Sequence, residues 1–155
     1  MKSISLSIGI LLLSLFQVKA QDSFSQDSAA IHAVIKQMFD GMHKGDSAMV
    51  HASLRDDIRM LTSYVDKEGK AAVQEGSLER FLTAVGTPHE TVWTETIDGI
   101  RIDIDDNMAH AWVDYTFLLD SKFHHCGVDS FLLVREESGW KIINIADTRR
   151  TEGCE

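Results

Sequence analysis

Tyr115, Asp147, Arg149 and His124 are the residues of this 155-residue sequence whose types and spacing suit acid–base chemistry. Counting alternate residues along successive strands places all four on one sheet face, and Tyr64 and Trp93 come within reach of them. A carboxylate next to a tyrosine hydroxyl or an imidazole can take or give a proton at carbon or oxygen. Asp147, Tyr115 and His124 are therefore the candidate catalytic residues. Tyr64, Trp93, Tyr115, Asp147 and Arg149 are the candidate ligand contacts. Two plainer arrangements use the same residues. In one, Asp147 and Arg149 form a structural ion pair and Tyr115 is core. In the other, the group binds a small apolar or aromatic molecule without transforming it.

Other chemistries find less support. His124, His125 and Cys126 are consecutive, but neighbours on a strand point to opposite faces, so the two histidines do not share a metal. Asp103, Asp105 and Asn107 imitate the start of a calcium loop. Met108 stands where that loop needs glycine, and Asp114 where it needs glutamate, so a hairpin turn is the reading. The sequence has no glycine-rich phosphate loop, no GxSxG and no HExxH. No metal and no cofactor are expected. The formal net charge is −9, which argues against nucleic acid as a partner, because phosphate contacts need a basic face.

The N-terminus reads as an address. Lys2 precedes an apolar run from Ile4 to Phe16, and Val18-Lys19-Ala20 supplies the pattern of a cleavage site. The run is short for a membrane span. The sequence thus divides into a signal peptide (1–20), a flexible lead-in (21–27) and one domain (28–154). The product is secreted or periplasmic, with no membrane association once the signal is removed. Export places Cys126 and Cys154 in an oxidising compartment. They either form a disulfide, or Cys126 is a buried thiol and Cys154 sits on a loose tail.

The positioning elements follow from periodicity. Ile31, Val34, Ile35, Met38, Phe39 and Met42 recur at helical spacing. Asp46 caps a second helix with Met49, Val50 and Leu54. A strand spans 57–65, and Ser77 caps a third helix with Leu78, Phe81, Leu82 and Val85 inward. After Pro88 the texture is β: strands over 91–104, 109–119, 125–135 and 140–149, with a bulge at Gly99. Helices followed by an antiparallel meander imply α+β, with about three N-terminal helices packed on one face of a curved sheet. With a turn at Ser121-Lys122, the face under the helices collects Ile100, Ile102, Ala111, Val113, Tyr115, Phe117, Val128, Leu132, Val134, Ile143 and Ile145. His124, Cys126, Asp147 and Arg149 lie at its far end. Trp112, Phe131, Leu133, Trp140 and Ile142 fall on the opposite face with Asp114, Asp129 and Asn144. That face is half exposed or a dimer surface.

Several segments carry a family likeness. They are Phe39-Asp40-Gly41-Met42 with Gly45-Asp46, Glu75-Gly76-Ser77 before Phe81, Ala109 through Tyr115-Thr116-Phe117, and His125-Cys126-Gly127. Phe131-Leu132-Leu133-Val134-Arg135, Gly139-Trp140-Lys141-Ile142 and Asp147-Thr148-Arg149 complete the set. Over residues 28–154 the chain resembles the nuclear transport factor 2-like superfamily, and within it the exported bacterial proteins labelled putative lumazine-binding or SnoaL-like. The resemblance implies a cone-like α+β fold, a cavity between helices and bent sheet, and a homodimer through the outer sheet face. It implies either a small-molecule binder or an enzyme of acid–base isomerisation, cyclisation or hydration, in the manner of steroid isomerases. A third role it admits is an interaction module using the Trp112, Phe131 and Trp140 face. Fold alone does not choose among these.

Overall fold

Apolar residues at helical spacing need a surface to cover, and the sheet supplies it. The computed structural model describes the backbone of residues 4–154 and the side chains of residues 24–154. The cleavage site expected after Ala20 lies outside the residues whose side chains are described. Helix α1 spans Ile4–Lys44, α2 Ser47–His51 and α3 Leu78–Gly86. Ile31, Ile35, Met38 and Phe39 form the buried stripe of α1. The Asp46 carboxylate accepts from the Met49 N–H and starts α2, and the Ser77 hydroxyl accepts from the Arg80 N–H and starts α3.

The lead-in expected to be flexible is helical. Residues 21–27 continue α1, and the Asp27 carboxylate accepts from Arg135 and, at 3.4 Å, from Trp140 Nε1. An acidic side chain with two donors on the sheet fixes this turn against the domain.

Six strands form one sheet in the order β2-β1-β6-β5-β4-β3. Their ranges are β1 Leu54–Val65, β2 Ala71–Glu75, β3 Trp93–Asp105, β4 Met108–Leu119, β5 Lys122–Glu136 and β6 Gly139–Arg149. Two features depart from the antiparallel meander expected from sequence. β2 is an added edge strand, short and largely exposed, which carries no apolar alternation. β1 pairs in parallel with β6, which puts the last strand inside the sheet.

The facing of β5 also differs. The β4–β5 turn is Asp120-Ser121, one residue earlier than expected, with both residues at positive φ (49° and 64°). This is the backbone of a tight two-residue hairpin, whose twist matches the strands it joins. The earlier turn moves the pairing by an even step and keeps the expected facing, but the extra residue at His124 then shifts the register by one and exchanges the faces of β5. Phe131 and Leu133, not Leu132 and Val134, lie under the helices, and both are fully buried. A second irregularity at Ile143 turns Ile142 and Ile145 inward together. Trp140 is buried as well. Of the large residues assigned to the outer face, only Trp112 is exposed. The two shifts cancel further along, so Asp147 and Arg149 stay on the helix-facing side.

Gly99 forms the expected bulge in β3 at φ 76°. With the irregularities at His124 and Ile143, it curves the sheet around α1 and α3. The result is an α+β fold in which helices cover one face of a bent, mostly antiparallel sheet.

Candidate functional site

Cross-strand neighbours arrange the site as rows on the inner face. One row runs Val113, Asp129, Asp147, Thr62 and Gln74 across β4, β5, β6, β1 and β2. A second holds Ile97, Tyr115 and Gly127 across β3, β4 and β5, with Arg149 beside Tyr64 on β6 and β1. A third brings Glu95, Phe117 and His125 together. Facing the rows are Met38, Phe39 and Met42 of α1 and Phe81 and Ala84 of α3. Between them is a cavity of about 790 Å³.

Gly127 is what lets the second row close. A Cβ there would collide with the Thr148 carbonyl and lie 2.8 Å from Tyr115 Cε1. Without one, the Tyr115 ring lies against β5 and its hydroxyl donates to the Thr148 carbonyl at 2.8 Å. Its one proton is therefore engaged by backbone. Burial, then the charges of Asp147 and Asp129, push its ionisation far above the ordinary range. Tyr115 lines the cavity with its ring, and the expected role as a ready proton donor does not fit this bonding.

Asp147 is both in the cavity wall and paired. One carboxylate oxygen accepts from Thr62 Oγ1 at 2.6 Å and the other from Arg149 Nε at 3.0 Å. With both oxygens bonded, it is poorly placed as the free base expected from sequence. Burial works against the Arg149 charge, but the hydrogen bond and negative charge of Asp147 outweigh it and hold the guanidinium ionised.

The carboxyls with the most perturbed environment are two that residue spacing does not single out. Asp129, 6% exposed, is expected on the outer face, and the slip of β5 turns it inward. Glu95 lies between Trp93 and Ile97 on the inner side of β3. Neither carboxyl hydrogen-bonds any described residue. Burial first, then the charge of Asp147, pushes Glu95 up to about 7. Burial, Glu95 and Asp147 push Asp129 well above the carboxylate range. For Glu95 a signal was available, because it shares the parity of Trp93, whereas the facing of Asp129 follows only from the extra residue at His124.

His124 and His125 also depart from expectation. His124 is the extra residue of a bulge, since Phe117 pairs with His125 and Leu118 with Phe123. The bulge breaks the alternation, so both rings border the cavity, with their Nδ1 atoms 2.7 Å apart. Burial, Arg149 and His124 lower His125 to about 4, so it is neutral at pH 7. Among the described residues, no three His, Cys, Asp or Glu groups are placed to hold a metal ion. Trp93 lines the cavity, its ring stacked on His89 at 3.6 Å. Tyr64 does not reach this cavity. It lines an adjoining one of about 640 Å³ that shares Thr62, His124, His125 and Arg149. Cys126 is on the face of Thr116, opposite the cavity, where it is bonded to Cys154.

A pH dependence follows. Folded Glu95 holds its proton more tightly than unfolded glutamate, so folding takes up a proton. The associated stability is complete below about pH 4.5 and is lost as pH rises through about 7. Each tenfold gain in proton affinity is worth ~1.4 kcal/mol, so the loss is at most about 3–4 kcal/mol. Urea midpoints between pH 5 and 8 should fall for the native chain and fall less for Glu95→Gln. Parallel profiles for the two would contradict this environment for Glu95.

This arrangement of helices and bent sheet is shared with solved proteins. An NTF2-like protein from Shewanella baltica aligns with a TM-score of 0.63 at 20% identity, over 83% of this chain and 98% of that one. An NTF2-like protein with a cystatin-like fold from Novosphingobium aromaticivorans aligns at 0.70 and 13%, over 90% and 91%. A putative scytalone dehydratase from the same organism aligns at 0.65 and 14%, over 84% and 89%. At these identities the likeness is one of fold, and the fold is NTF2-like. Residues 26–146 match the model of the putative lumazine-binding family, and the chain belongs to that family. No curated protein matches the chain.

Proposed function

We propose that this chain is an exported small-molecule-binding protein, whose ligand occupies the cavity between α1, α3 and the sheet. The observation that carries the reading is the cavity itself. Its volume of about 790 Å³ falls in the range of small-molecule sites, and aromatic and methionine side chains share its wall with carboxyl, guanidinium and imidazole groups. The paired Asp147 and the engaged Tyr115 hydroxyl favour binding over the catalysis first expected of them. The apolar run before Ala20 supports export, and a mature chain beginning at Gln21 would establish it.

A thermal-shift screen with flavins, pterins, sterols and quinones tests the reading. A ligand at a hundredfold its Kd stabilises by about 2.7 kcal/mol, so at least one class should raise Tm by several degrees. A flat response to every ring compound would refute it.

One observation favours a second reading, acid–base catalysis by an isomerase, cyclase or hydratase. Glu95 borders the cavity with its proton affinity raised to about 7, the range in which a carboxyl exchanges protons at neutral pH. Glu95, rather than Asp147, would then carry the proton. Conversion of a bound ligand by the native chain and not by Glu95→Gln separates this reading from simple binding.

A further inference from the structure

Two of the carboxyls bordering the cavity have no hydrogen-bond or ion-pair partner among the described residues. Asp147 is matched by Arg149 at 3.0 Å. Arg80, at the other end, donates to Ser77 Oγ and to the Glu75 carbonyl. Asp129 and Glu95 border the same space, and their carboxyls hydrogen-bond no described residue. Asp129 is 6% exposed. A carboxyl on the wall of an open cavity, with no donor supplied by the protein, is free to accept from a ligand.

The surroundings of Glu95 indicate what that is. Register places Phe117 directly across from it, and Trp93 lies two residues away on the same side. The two rings meet edge-on with centroids 6.1 Å apart. Aromatic faces beside a carboxylate attract an organic cation through the ring quadrupole as well as through charge. A bare metal ion is a poor match, since no three ligating groups among the described residues converge. An anion would find Arg149 already engaged by Asp147, and Arg80 by Ser77 and the Glu75 carbonyl.

We propose that the cavity receives a ligand with a protonated amine on a flat or apolar body, its ammonium between Asp129 and Glu95 and its body against Trp93 and Phe117. The inference deepens the small-molecule reading and rests on it. A cation arriving there stabilises both carboxylates, and the protons that burial holds on them leave to solvent. Binding is thus coupled to proton release.

Two matched pairs of probes test this: tryptamine against tryptophol, and 2-phenylethylamine against 2-phenylethanol. Each pair differs only in ammonium against hydroxyl. Calorimetric titration near pH 6.5, in two buffers of different ionisation enthalpy, reads affinity and proton release together. The expected result is at least about tenfold tighter binding of one amine than of its alcohol, with net proton release. Asp129→Asn, and independently Glu95→Gln, should shrink that preference to about threefold or less. Alcohols binding as tightly as amines would overturn the inference and leave the small-molecule reading standing. Failure of all four probes to bind below about 1 mM would also overturn it, and the ring-compound screen then decides whether the cavity reading falls too.

Discussion

Phe131→Ala should lower stability by about 3–5 kcal/mol, whereas Trp112→Ala should cost less than about 1 kcal/mol. Phe131 is fully buried, and its ring meets Phe39 of α1 edge-on, with centroids 6.2 Å apart. Removing it opens a cavity where the helix rests on β5, and close-packed neighbours relax only partly into such a space. Trp112 is 37% exposed on the other face, with the Arg101 guanidinium 5.9 Å from its ring. Its loss uncovers surface that water already reaches. Chemical denaturation of the two variants measures the difference. It is also a test of strand register, because moving β5 by one residue would bring Phe131 outside. Equal costs, or a larger cost at Trp112, would mean that β5 lacks the extra residue at His124, and Asp129 would then face away from the cavity.

Cys154→Ser is expected to cost roughly 3–4 kcal/mol. The bond to Cys126 closes a span of 28 residues, with Cα atoms 5.9 Å apart. On the chain-entropy model, opening a loop of that size restores this much freedom to the unfolded chain. In the folded chain the tail is also held by backbone. The Cys126 and Arg150 N–H groups each donate to the other residue's carbonyl at 2.9 Å. Local pairing should therefore survive the substitution while the global transition moves down. Melting with and without reductant should show the same displacement for the native chain and none for the variant. A native transition indifferent to reductant, or an intact mass that does not gain about two units on reduction, would refute the bond.

Much of this architecture was legible in the sequence because it is written in local signals. The α1 stripe from Ile31 to Met42, the caps at Asp46 and Ser77 and the bulge at Gly99 each depend on a few adjacent residues. Strand facing beyond the β4–β5 turn was not legible. Asp120-Ser121-Lys122 contains no glycine or asparagine to mark which pair turns, and the extra residues at His124 and Ile143 have no compositional mark at all. Each shift is a single residue, which suffices to exchange Phe131 with Leu132. β2 escaped because an exposed edge strand needs no apolar alternation. The candidate site was half legible for the same reason. Trp93, Tyr115, Asp147, Arg149 and His124 border the cavity, but Tyr64 borders its neighbour. The carboxyls of Glu95 and Asp129 emerge only once the bonding of Asp147 and the facing of β5 are known.

The parallel pairing of β1 with β6 bears on how this chain matures. Its final strand fills the middle of the sheet, between the first-made strand and β5. A nascent chain lacking its last twenty residues has a split β-scaffold and an α1 stripe with nothing continuous to rest on. Native assembly must wait for those residues, and pairings so distant in sequence make it slow.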